Sequence, residues 1–123
     1  MEKIYKIFVL CIGLLACTTA VKGQDLAREK GKELIQKIEK EYPNIHGEVE
    51  EYFNGFPHSP MADHIRFAYA SYCFNRGNYS AASQQLELTD PRSLSRPQQQ
   101  EYRFKLGYCL FRSGNNNEAK ATL

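Results

Sequence analysis

The sequence predicts an all-α fold in which antiparallel helix-turn-helix pairs stack into an α-α superhelix. Three observations carry the prediction. Apolar residues recur at three- and four-residue steps, no period-two run of useful length competes, and one pattern returns after 37 residues. A helix with one apolar stripe must bury that stripe against a neighbour, so a run of such helices joined by short turns implies packed pairs.

The first helix is predicted over 25–42, where Ala27, Leu34, Ile35, Ile38 and Tyr42 form a stripe and Arg28, Glu29, Lys32, Glu33 and Lys37 face elsewhere. Pro43 closes it, because the residue before a proline is pushed out of helical geometry. A second stripe follows in Ile45, Val49, Tyr52, Phe53 and Phe56, with Gly55 and Pro57 ending it. Ser59-Pro60 then reads as a start: the hydroxyl caps free amides and proline suits the first turn. That helix carries Ile65, Ala68, Tyr69, Tyr72 and Cys73 and stops at Gly77. A shorter helix holds Ala82 and Leu86 and ends near Asp90-Pro91. Ser95-Arg96-Pro97 repeats the start signal. A long helix through Leu106 and Leu110 reaches Gly114, and a further helix contains Ala119 and Leu123.

Aligning Gly77 with Gly114 places Ala82 on Ala119, Leu86 on Leu123, Phe74 on Phe111, Phe67 on Phe104 and Ala70 on Gly107, all at an offset of 37 residues. The spacing has a physical reason. A tight turn between antiparallel helices needs a residue at positive φ, hence glycine. Small side chains are needed where the backbones approach most closely, hence Ala70, Gly107, Ala82 and Ala119. One pair cannot bury its own apolar face, so pairs stack. The units are then 59–90 and 95–123, the second cut short, preceded by a helical pair over 25–56 that is either a degenerate repeat or a cap. A stack ending mid-helix would expose its last apolar face, so the chain reads as part of a longer repeat protein.

Tyr72-Cys73-Phe74-Asn75-Arg76-Gly77-Asn78-Tyr79 followed by Ala82 resembles the tetratricopeptide repeat core, and Gly107-Tyr108-Cys109-Leu110-Phe111 with Gly114 and Ala119 resembles a second copy. Phe56-Pro57-His58-Ser59-Pro60-Met61-Ala62 is similar to a joint found in envelope tetratricopeptide proteins, including outer-membrane assembly lipoproteins and the Tol–Pal coordinators of Gram-negative bacteria. The resemblance spans Tyr52 to Leu123. It departs from the family in its period, where about 34 is usual, and in Asn116, which stands where the first copy has Tyr79. The resemblance implies that first helices build an inner, concave face. Phe67, Phe74, Phe104, Tyr108 and Phe111 would point there, flanked by Asn75 and Arg112. Aromatic groups rimmed by polar ones suit a protein or peptide partner. The alternative is that these rings pack between helices.

Residues 1–23 read as an export leader: Lys3 and Lys6 precede the apolar run Ile7 to Ala16, which is shorter than the roughly 20 residues of a membrane span. Val21-Lys22-Gly23 fits cleavage before Gln24. Leu14-Leu15-Ala16-Cys17 approximates a lipoprotein box that would place a lipid on Cys17, and retention as an anchor is the third outcome. A periplasmic or outer-membrane-associated location follows, with membrane contact only through such a lipid. Lys3, Lys6, Lys22 and Glu2 lie in the leader, and without them the 16 basic and 14 acidic side chains fall to 13 each. A neutral surface lacks the electrostatic footprint of nucleic-acid binding.

No reactive constellation stands out. His46, His58 and His64 lack further ligands at zinc-like spacing. Ser59, Ser71, Ser80 and Ser83 have no nucleophile motif around them, Glu48, Glu50 and Glu51 lie on a polar helix face, and no glycine loop could cradle phosphate. Cys73 and Cys109 fall on faces that the repeat register buries, where a thiol is inert. No cofactor or metal is expected. The sequence is therefore read as a non-catalytic interaction scaffold of the bacterial envelope. The alternatives are a glycan-binding helical-repeat lipoprotein, which the lack of Trp disfavours, and the helical N-terminal part of a larger envelope protein.

Overall fold

The structure is a computed structural model that describes residues 23–114. Among these the chain is all-α, with no strand. Helix α1 covers 23–39, followed by α2 (Ile45–Gly55), α3 (Ala62–Asn75), α4 (Tyr79–Leu88), a 3-10 turn over Pro91–Ser93 and α5 (Arg96–Arg112). No described helix is long and apolar enough to cross a membrane.

Helix α1 ends three residues before the predicted Tyr42, and the cause is backbone geometry, not Pro43. Glu41 takes a left-handed φ of 55°, with its N–H bonded to the Ile38 carbonyl and the Tyr42 N–H bonded to the Lys37 carbonyl. That reciprocal pair is the Schellman stop. It turns Tyr42 out of the apolar stripe to 45% exposure. Helix α3 stops by the same device: Gly77 has φ 78°, its N–H meets the Phe74 carbonyl, and the Asn78 N–H meets the Cys73 carbonyl. Gly114, at φ 88°, donates to the Phe111 carbonyl at the end of α5. Gly77 and Gly114 thus occupy matching environments 37 residues apart.

Helix starts follow local chemistry. Ser95 and Gln98 form a reciprocal capping box on α5 with Pro97 in the first turn, as expected. Asn78 caps α4 by accepting from the Ala81 N–H at 3.2 Å. Ser59 does not cap α3, which begins at Ala62 behind an uncapped Met61. Its hydroxyl instead lies in the preceding turn, accepting from the Met61 N–H at 3.0 Å and bonding Tyr52 Oη at 2.6 Å. Since Tyr52 donates to the Ala27 carbonyl at 2.5 Å, the Ser59 hydroxyl is the donor in their contact. One phenol thereby ties α1, α2 and the α2–α3 connection together.

Two apolar clusters run through the stack. One joins Leu34 and Ile38 of α1, Ile45, Val49 and Tyr52 of α2, Ile65, Tyr69 and Cys73 of α3, Ala82 of α4 and Cys109 of α5. The other joins Phe67 and Ala70 of α3, Leu86 of α4 and Leu94, with Tyr102 and Leu106 of α5 against it. Among α2 to α5, helices α3 and α4 pack most extensively, and Ala70 and Ala82 are fully enclosed, in keeping with a need for small side chains there. Gly107, their counterpart on α5, is buried too, whereas Ala119, Leu123 and Cys17 lie outside the described residues. Gly31 is a close approach that the sequence does not announce: a Cβ there would sit 2.9 Å from Tyr52 Oη and 3.0 Å from the Met61 Cβ.

Candidate functional site

Helices α1, α3 and α5 flank a groove with a volume of ≈ 520 Å³. Its position follows from how the apolar stripes are spent. Each stripe turns its most apolar residues toward the core, and the flanks of α1 and α3 then meet along Ile35, Ile38, Met61, Phe67, Ala68 and Tyr72. Polar groups close the sides: Glu39 and Glu41 at the end of α1, His64, Ser71 and Asn75 on α3, and Gln98 and Glu101 on α5.

At one edge lies a buried ammonium. Lys105 has a side chain only 9% exposed, yet Nζ donates to Glu101 Oε1 at 2.8 Å and to Ser71 Oγ at 2.9 Å. It also stands 5.5 Å from the centre of the Phe74 ring and 6.0 Å from that of Phe67. A buried cation needs such partners, since an unpaired one would be expelled or neutralised. The Lys105–Ser71 contact has the outline of a base–nucleophile pair but not its chemistry. The amine is engaged by a carboxylate, and Ser71 lies in mid-helix, where neighbouring N–H groups are consumed by the helix and none is left for an oxyanion.

The predicted aromatic stripe divides. Phe67 lines the groove and is only 6% exposed, packed with Leu86, Leu94 and Leu106 because α5 lies across it. Phe74 is half-buried in an aromatic cluster with Tyr79, Phe104 and Tyr108, the ring centres 5.4, 6.4 and 5.4 Å away from its own. Phe104 and Phe111 are 55% and 58% exposed. Arg112 is exposed, with its guanidinium 5.4 Å from the centre of the Tyr79 ring. Phe74, Phe104, Tyr108, Phe111 and Arg112 do not line the groove; Asn75 does. The sequence reading missed the α1 wall and Lys105. Ile35 and Ile38 were legible as apolar, but a lysine in the α5 sequence reads as solvated.

Tyr69 Oη lies 2.7 Å from His46 Nδ1, and His46 Nε2 lies 3.3 Å from Glu50. Burial is the main reason the Tyr69 phenol is pushed up to about 12. Cys73 and Cys109 are free and buried, and burial raises both thiols. No group of three or more His, Cys, Asp or Glu is placed for a metal among the described residues. In comparisons with known proteins, the chain matches no family model, no curated protein and no solved structure.

Proposed function

We propose that the chain is a non-catalytic scaffold that holds a protein segment in the α1–α3–α5 groove. The observation that carries this reading is the groove itself: an apolar floor rimmed by hydrogen-bonding side chains, built on three helices instead of loops. A peptide laid there buries apolar side chains on the floor, while Asn75, Gln98 and His64 offer amide and imidazole groups to its backbone. The tetratricopeptide-type superhelix belongs to this proposal. Its support is the paired stops at Gly77 and Gly114 and the enclosed small residues Ala70, Ala82 and Gly107. An envelope location rests on the leader-like residues 1–23 and the Cys17 box.

Glycan capture fits less well. Sugars stack on free aromatic faces, and the groove is lined by two large rings, Phe67 and Tyr72, beside the smaller His64 imidazole. Phe67 is buried, and Tyr72 is covered by Arg76, whose guanidinium lies 4.3 Å from its centre, and lies stacked beside Tyr69.

Filling the groove tests the reading. Ala68→Trp is expected to keep the helical content and abolish binding of peptides that a displayed random dodecamer library enriches on the wild type. Undiminished binding by a folded Ala68→Trp variant would refute it.

A further inference from the structure

We infer that the segment held in the groove is cationic and amphipathic, with a lysine or arginine beside an apolar anchor. The inference rests on the groove reading above and adds the partner's chemistry to it. The rim's charges decide the matter. Glu101 is already engaged by Lys105, and Arg76 is spent on the Tyr72 ring. Lys37, on the same helix as the acidic wall, pairs with Glu48. Glu39 and Glu41 are both exposed and have no ion-pair partner among the described residues, yet both line the groove beside Ile35 and Ile38. His64 lines the facing side of the groove on α3. An occupant with a cation beside its apolar anchor would therefore meet two carboxylates without an ion-pair partner at one side of an apolar floor. An acidic occupant would face repulsion there.

The arrangement also selects among partners. The apolar floor gives adhesion without sign, while the carboxylates reject anionic segments, so the pair acts as a filter as well as a clamp. The attraction is between exposed groups, so salt should weaken it.

The test uses the full chain and a phage-displayed library of random dodecamers. Selection on the wild type is expected to enrich peptides that carry Lys or Arg near Leu, Ile or an aromatic residue. The double variant Glu39→Lys/Glu41→Lys, at two exposed positions, is expected to keep its melting temperature within a few degrees. It should bind the same peptides ~10-fold more weakly and enrich acidic peptides instead. The milder Glu39→Gln/Glu41→Gln pair should lose part of the affinity and most of its salt dependence. Peptides enriched without charge preference, or held equally by the reversed variant, would overturn the inference and leave the groove standing. If no peptide prefers the wild type over Ala68→Trp, the groove reading itself fails, and the inference with it.

Discussion

Phe67 and Phe104 occupy the same register 37 residues apart, and their surroundings make them unequal. Phe67 is enclosed by residues of α3, α4 and α5, so Phe67→Ala should cost about 3–5 kcal/mol, the range for emptying a buried ring site. Phe104 touches Phe74 and Tyr108 but stays mostly exposed, so Phe104→Ala should cost about 1 kcal/mol. Urea unfolding of the two variants checks both values. Tyr69 gives a pH signature. Its folded phenol is raised above the ordinary 10, to about 12. A raised value means the native state favours the protonated form. The corresponding stability is complete below pH 10 and is lost as pH climbs through about 12. The phenolate absorbance of the folded protein should show a late-titrating tyrosine that Tyr69→Phe removes, and its unfolding free energy should fall across that window. The chemistry of Phe67 was legible in the sequence but its burial was not, because periodicity shows which face is apolar and not which neighbour covers it.

At the scale of elements, α1, α3 and α5 each stop on a left-handed residue, at Glu41, Gly77 and Gly114. Two of these stops are visible in the sequence because glycine occupies them. The third was hidden, because a glutamate carries the conformation and the stop was credited to Pro43. A non-glycine residue in this region is strained by roughly 1–2 kcal/mol, while glycine there gives back about 0.5–1 kcal/mol in backbone entropy. Glu41→Gly should therefore stabilise the fold by about 0.5–1 kcal/mol in thermal or urea unfolding, although it deletes a carboxylate from the groove. Unchanged or lower stability would mean that the Glu41 side chain makes a contact worth more than its strain. Helix starts divide in the same way. Ser95 and Gln98 declare their capping box in sequence. Ser59 carries the same signal but is diverted by Tyr52, a long-range partner that no local rule includes.

For the whole molecule, the all-α class and the order of helices were legible because each stripe is long and each turn is marked by glycine, proline or serine. The groove was not. It arises where α1 meets α3 and α5, and it depends on how far one helix stands from the next, which no single stripe encodes. Of the aromatic residues expected to face a partner, Phe67 lines the groove while packed into the core, Phe74, Phe104 and Tyr108 form an outer cluster, and Phe111 is exposed. The account stands on the claim that this groove holds a partner segment. Amide and methyl chemical-shift mapping with a library-enriched peptide measures that directly. The predicted result is a set of shifts confined to Ile35, Ile38, Ala68, Ser71 and Asn75, with Phe104 and Phe111 unmoved. Shifts centred on Phe104 and Phe111, with the groove residues silent, would contradict it.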